Sequence, residues 1–236
     1  MKTKSIREPK LSRRRLLAGL GAGAATLAAG SAARAACSVT AWQVDGPFYP
    51  QAITEQDWDL THVSGSTTRA AGQVIEVTGK VTDANCNPVP GCVLEVWQAN
   101  HKGRYQHPLD AGDENRPMDP NFQGYARIVA DGNGEYRFVT IRPSSYAAIG
   151  DWVRPAHIHF KAHAAFNPSV TTQMYFSDDP LNAKDLLLQD LPPAEQAGLI
   201  VAFNDTRADG VPTGRFNITL PAGWVPPPEL VIPGQN

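Results

Sequence analysis

The sequence predicts an all-β domain, a two-sheet β-sandwich with long loops and one short helix in its C-terminal half. Three observations lead there. Short runs rich in Val, Ile, Thr, Tyr and Phe alternate with clusters of Gly, Pro, Asn and Asp, the pattern of strands and turns. No long amphipathic helical pattern competes with them. Asp131-Gly132-Asn133-Gly134 supplies residues that tolerate positive φ between two apolar runs, which predicts a hairpin.

In chain order, the first element lies outside the domain. Met1 to Lys10 is polar and basic; Ser12-Arg13-Arg14-Arg15, an apolar run from Leu16 to Ala29, and Ala33-Arg34-Ala35 follow. The apolar run is shorter than the ~20 residues a membrane-spanning helix needs. Its basic flank and A-x-A site read as an export signal over residues 1–35. Consecutive arginines before Leu16-Leu17 favour a twin-arginine signal, with an ordinary secretory signal as the alternative. A lipid anchor at Cys37 is disfavoured by Arg34. The expected destination is the periplasm or the exterior, with residues 36–236 forming one domain and no membrane association once the signal is cleaved.

The whole chain carries 21 basic and 23 acidic residues. Cleavage after Ala35 removes eight of the former and one of the latter, leaving 13 against 22, or −9. So acidic a protein is not expected to seek nucleic acid or anionic lipid. Of the three cysteines, Cys92 opens an apolar strand and reads as a buried small hydrophobe. That favours a Cys37–Cys86 disulfide in an oxidising compartment, with Cys86–Cys92 as the rival.

The strands are predicted near Val74 to Thr82, Cys92 to Gln98, Ala126 to Ala130, Tyr136 to Thr140, His157 to His163, Thr171 to Tyr175 and Arg215 to Leu220. Seven strands suit a sandwich. The loop from His107 to Phe122 has no periodicity and is long enough to be functional or mobile. Leu191-Pro192-Pro193 followed by a run to Phe203 predicts the helix, beginning near the second proline. Five prolines from Pro221 onward predict an extended tail.

The chemistry concentrates in Arg154-Pro155-Ala156-His157-Ile158-His159-Phe160. On a strand, His157 and His159 share one face and Ile158 and Phe160 the other, so two imidazoles make half a metal site. Spacing alone leaves zinc, copper, iron or no metal open. His163 has the same parity but lies roughly 13 Å beyond His159, too far for one ion. His62, His101 and His107 read as surface or edge histidines. Tyr49, Tyr125, Tyr136 and Tyr175 read as core or pocket-wall aromatics, and Trp97, Trp152 and Trp224 as packing residues.

Four blocks occur in order: Gly91 to Asn100 (GCVLEVWQAN), Gly103-Arg104-Tyr105-Gln106-His107, Asp119-Pro120-Asn121-Phe122, and Arg154 to Phe160. Together they resemble the intradiol ring-cleavage dioxygenases, most nearly the iron-bearing subunits of the protocatechuate 3,4-dioxygenases. The likeness runs from about Asp45-Gly46-Pro47-Phe48-Tyr49 to Arg215-Phe216-Asn217-Ile218-Thr219-Leu220. It implies a non-haem Fe(III) site with Tyr105, Tyr146, His157 and His159 as ligands, Tyr146 and His159 axial. It implies also that Arg154 and Gln173 stand just behind the ligands, Arg154 placed to stabilise negative charge on the ring, and that displaced Tyr146 serves as a base; a structural salt bridge is the alternative for Arg154 and satisfaction of backbone groups the alternative for Gln173. Phenolate, a hard anionic donor, suits ferric iron.

The implied reaction splits a catechol between its hydroxylated carbons with O2, giving a muconate-type dicarboxylate. Catechol-specific members carry an extra N-terminal helical region, for which no room exists before Val74. Protocatechuate or another substituted catechol is therefore the expected substrate. A homo-oligomer, or pairing with a homologous subunit, is the expected assembly. The alternatives are a non-catalytic β-sandwich, either a binding module or a metal-free partner subunit, and a zinc or copper protein. The first is disfavoured because all four ligand positions are filled, and copper electron transfer because no cysteine sits in a suitable context.

Overall fold

The computed structural model describes residues 37–51, 53, 55–164 and 169–221. The export signal, Trp224 and the tail beyond Pro221 lie outside the described residues. Among the described residues twelve strands are formed: β1 (Val74–Thr82), β2 (Val93–Trp97), β3 (Tyr125–Val129), β4 (Glu135–Ile141), β5 (Tyr146–Ala147), β6 (Val153–Arg154), β7 (His157–His163), β8 (Val170–Phe176), β9 (Ile200–Val201), β10 (Asp205–Thr206), β11 (Pro212–Arg215) and β12 (Ile218–Thr219). Two short helices, α1 (Leu186–Gln189) and α2 (Pro193–Leu199), follow a 3-10 turn at Pro180–Lys184.

The strands form two five-stranded sheets and one ribbon. In the first sheet β1 is central, antiparallel to β4 on one side and parallel to β11 and β12 on the other, with β10 at the edge. The second runs β3-β2-β7-β8-β9, and β5 pairs with β6 as a separate ribbon. The inward faces are apolar: Ile75, Val77 and Phe138 from the first sheet share a core with Leu94, Val96, Ile158, Phe160 and Met174 from the second. Burial of such side chains stabilises by roughly 1.5–3 kcal/mol each. Gly79 is required inside β1, because a Cβ there would lie 1.9 Å from the Phe216 carbonyl and 2.6 Å from the Tyr136 ring.

The all-β expectation holds, with four local corrections. The Asp131 turn is present, with Gly134 at φ +74° and Asp131 Oδ1 accepting from the backbone N–H of Asn133 and Glu135. It does not close a hairpin, however: β3 pairs with β2 and β4 with β1, so the turn carries the chain between sheets. The run from Arg215 to Leu220 is divided into β11 and β12, because Asn217 Oδ1 takes the Lys80 N–H that a continuous ladder would give to backbone. The predicted helix stops at Leu199, since the β-branched Ile200 and Val201 pair in parallel with Tyr175 and Phe176. The β5–β6 ribbon and α1 were not legible, being two and four residues long.

Cys37 and Cys86 form the disulfide and Cys92 is free and buried. Beyond the disulfide, the chain from Thr40 onward runs as an arm. Thr40 N–H bonds to Thr219 in the first sheet, and Gln43 N–H to the Thr171 carbonyl in the second. The arm thereby crosses onto the outer face of the second sheet. Among the described residues no helix is long and apolar enough to cross a membrane.

Candidate active site

Cross-strand register builds the site on the second sheet's outer face. His159 pairs with Trp97 on β2 and with Gln173 on β8, and His157 pairs with Tyr175. Directly opposed residues point to the same face, so the strand pattern brings these side chains together. Trp97 does more than pack: its indole stacks on the His159 ring at 4.8 Å and 10°, fixing the plane of the imidazole. Tyr146 stands opposite Arg154 on the β5–β6 ribbon.

Tyr105 arrives from the loop after β2. Its N–H bonds to Asp110 Oδ2 at 2.9 Å, and Arg116 holds both Asp110 Oδ1 and the Gly103 carbonyl, at 2.9 and 2.8 Å. The aperiodic segment from His107 to Phe122 thus braces a site residue. Gly103, at φ +72°, lets this loop approach β5: a Cβ would stand 2.5 Å from the Ser145 carbonyl and 3.2 Å from Tyr146 Cβ. His107 proves buried, not a surface histidine, its Nδ1 accepting the Leu109 N–H.

The four sequence-predicted ligand residues converge. His157 Nε2 lies 3.1 Å and His159 Nε2 3.2 Å from the Tyr105 hydroxyl, and the Tyr146 ring is 5.5 Å from that of Tyr105 and 5.8 Å from that of His157. His157 Nδ1 is 2.7 Å from the Pro155 carbonyl. A carbonyl only accepts, so Nδ1 carries the proton and Nε2 presents a lone pair inward. All four residues are buried.

Burial holds both imidazoles well below their ordinary pKa, and the Arg154 charge adds to this, so they are neutral. Burial also raises Tyr105 well above the usual phenol range; Tyr146 beside it adds and Arg154 opposes. Tyr146 is raised by burial against the same Arg154 charge. Two neutral imidazoles and two phenols, turned on one point without a carboxylate, fit a hard, highly charged cation that would draw off the phenolic protons. Among the described residues no three His, Cys, Asp or Glu gather as a metal site. The residues that could hold a metal ion are Tyr105, Tyr146, His157 and His159.

Arg154 and Gln173 are brought to the same place. Arg154 Nη2 donates to Gln173 Oε1 at 2.7 Å and to the Tyr175 hydroxyl at 3.3 Å, while Nε donates to Asp185 Oδ2 at 2.7 Å. Gln173 Nε2 is buried without a partner, an amide donor free for a ligand. Trp152 lies over the Arg154 guanidinium at 5.3 Å.

The arm closes the other side. Phe48 packs on Tyr105 at 4.7 Å, Tyr49 stands edge-on to Trp97 at 5.0 Å, and Gly46 faces His159. Tyr49 is pushed up to about 12, by burial first and by its hydrogen bond to Glu95 second. Sequence reasoning missed Gln43, Asp110 and Asp185 here. Nothing periodic marks the irregular segments that carry them. His62, His101 and His163 take no part in the cluster; His163 lies 3.4 Å from Glu95 instead.

The Dioxygenase family model matches residues 44–221. The protocatechuate 3,4-dioxygenase beta chain of Burkholderia cepacia is 42% identical over 170 residues, covering 70% of this chain and 71% of that one. The catechol 1,2-dioxygenase of Acinetobacter baylyi is 29% identical over 171 residues, covering 67% of this chain but only 51% of its own length. Among solved structures, the dioxygenase domain of a dioxygenase carbohydrate-binding protein fusion from Streptomyces sp. SirexAA-E has a TM-score of 0.57 at 28% identity, covering 79% of this chain and 100% of that domain. The intradiol ring-cleavage dioxygenase from Tetranychus urticae has a TM-score of 0.61 at 21% identity, covering 78% and 95%, a likeness of fold. By family match and by identity, the chain belongs to the intradiol ring-cleavage dioxygenases.

Proposed function

We propose that this protein cleaves a catechol-type ring between its two hydroxylated carbons with O2, at a non-haem ferric ion held by Tyr105, Tyr146, His157 and His159, and releases a muconate-type dicarboxylate. The observation that carries the reading is the convergence of both Nε2 atoms within 3.2 Å of the Tyr105 hydroxyl, with Tyr146 beside it. Bound iron would supply a Lewis acid that favours the deprotonated catechol and withdraws electron density from its ring. Protocatechuate or another substituted catechol is the proposed substrate, supported by the 42% identity to a protocatechuate 3,4-dioxygenase beta chain.

The chain's own residues do the rest. Phe48, Tyr49 and Trp97 wall the pocket, exclude water and strengthen the electrostatics inside it. Tyr146 Oη, as the phenolate that would hold the metal, takes a proton from a substrate hydroxyl, an uptake that its burial favours against the opposing Arg154 charge. Arg154 stabilises negative charge that develops on the ring, and the free Gln173 amide donates to the same region. His157 is kept by Pro155 in the tautomer that presents Nε2.

The test is direct. The iron-loaded protein should be coloured by tyrosinate-to-iron charge transfer, its band should shift when protocatechuate is added under argon, and oxygen should then yield a carboxymuconate. A folded protein that is colourless and retains no iron would sink the four-residue assignment. Export is part of the proposal: residues 1–35 would be removed in transit, which mass spectrometry of the exported protein reads as a new N-terminus at Ala36.

A further inference from the structure

We propose that Asp185 is a positioning residue for catalysis, aiming the Arg154 guanidinium at the reacting ring; this rests on the ring-cleavage reading above. Asp185 is fully buried, in the turn between the 3-10 segment and α1, nine residues beyond the end of β8. Its Oδ2 accepts from Arg154 Nε at 2.7 Å, and its Oδ1 accepts from the Leu188 N–H at 2.9 Å and lies 3.4 Å from the Tyr175 hydroxyl. The Arg154 side chain is itself only 5% exposed.

A guanidinium has a rigid fork of donors, so fixing one edge fixes the direction of the others. Asp185 takes Nε, and Gln173 and Tyr175 take Nη2, which fixes the guanidinium beside Tyr146, its partner across the ribbon. The brace is tied to a third element: the Tyr175 hydroxyl donates to Gln43 Oε1 at 3.2 Å, and Gln43 Nε2 donates to the Leu187 carbonyl at 3.1 Å. The arm that covers the pocket and the turn that holds Asp185 therefore meet on one network. Asp185 also spares the pocket an unpaired buried cation, which would be costly. At the other end of the 3-10 segment Asp179 Oδ2 accepts the Ala156 N–H at 2.8 Å, so one segment holds both Arg154 and the start of the histidine strand.

Asp185 caps α1 as well as holding Arg154, and the two roles separate in Asp185→Asn, since asparagine is an equally good N-cap but brings no charge. The iron-loaded variant should keep its iron and its visible band. Its kcat should fall roughly 10- to 100-fold, the scale on which misplacement of a reacting group acts, with KM no higher than about three times that of the parent. In an Arg154→Ala background the same substitution should change kcat less than about two-fold, because its effect passes through Arg154. In the metal-free protein, the Arg154 Nε–H resonance, slow to exchange in the parent, should become fast in Asp185→Asn.

An equal loss of kcat in both backgrounds would mean a general structural role and overturn the proposal. So would a variant whose kcat matches the parent, or one whose Arg154 resonance stays protected. A parent protein that binds iron but turns over no catechol would instead overturn the functional reading and this catalytic role with it. An active parent with an indifferent Asp185→Asn overturns this inference alone.

Discussion

Along β4, in the first sheet, exposed Glu135 and Arg137 alternate with buried Tyr136 and Phe138, whereas along β8, in the second, every residue from Val170 to Phe176 is buried. Over that half of β4 the first sheet has a wet face and a dry one, while from Phe138 to Ile141 the strand is covered on both. The second is covered on both sides, by the core and by the arm that carries Gln43, Asp45, Phe48 and Tyr49. Polar groups on a covered face must satisfy one another or a ligand, because each unpaired one costs about 1–3 kcal/mol. Thr171, Gln173, Tyr175, His157 and His159 are such groups. Burial on both faces of a strand that still carries polar residues at alternate positions marks the site.

The sharpest break in that comparison lies within β7, between adjacent residues. His159→Ala removes a donor from the covered face, and should cost iron affinity and turnover more than the roughly 10- to 100-fold that an outer partner of a ligand is worth. Iron per chain and the visible band measure it; a variant of full colour and full iron content would remove His159 from the ligand set. Phe160→Ala, one residue on, removes a side chain from the shared core, where Phe138 lies at 5.9 Å and Phe216 at 4.9 Å. About 3–5 kcal/mol of stability should be lost in urea unfolding, while the folded fraction keeps its iron. If the folded Phe160→Ala protein bleached as His159→Ala does, the two faces would not be separable.

Those two faces were legible because strand alternation is local. His157 and His159 against Ile158 and Phe160 needs only a period of two, and the strand was found with its observed limits. Tyr146 was a different matter: β5 is two residues long, and only the likeness to a family of known enzymes put it beside the histidines. Asp185, Gln43 and Asp110 were invisible, since each sits in irregular chain and meets its partner across long sequence separations or through a turn. The Asp131 turn shows the opposite failure. Its residues fix the turn, but which sheet each flanking strand joins is decided by tertiary pairing that no local window contains.

Whether the arm is what makes the second sheet different can be tested at its root. The Cys37–Cys86 bridge spans 49 residues of sequence and pins the arm where it leaves the first sheet. Cys37→Ser should lower stability by about 2–4 kcal/mol, and reduction of the parent should match it. Iron release should quicken in step, because Phe48 and Tyr49 would be held less firmly over Tyr105 and Trp97. Cys92→Ser is the contrast, a buried free thiol in the core whose loss should affect stability with no added effect of reductant. An arm that stays ordered, with unchanged iron release, would show that its own contacts suffice.

The smallest effect belongs to the first sheet's ordinary periphery. Asp59 bridges to Val139 of β4 and pairs with Arg69 at 2.9 Å. Burial acts to raise its carboxyl, but hydrogen bonds from Thr61 and Arg69 outweigh it, and its pKa lies below the ordinary value. The folded state therefore takes up this proton at lower pH than the unfolded chain does. Its contribution is present above the unfolded pKa of about 3.9 and disappears as pH falls through the folded value. Asp59→Asn can keep the bonds from Thr61 and loses the charge facing a largely exposed arginine, so at pH 7 it should cost only about 0.5–1 kcal/mol. The gap between parent and variant should narrow as unfolding is measured toward pH 3, and the variant's visible band should match the parent's at either pH. A gap that widened with acid would reverse the sign assigned to Asp59, and a shifted band would mean that this outer edge and the covered face of the second sheet are coupled through the core.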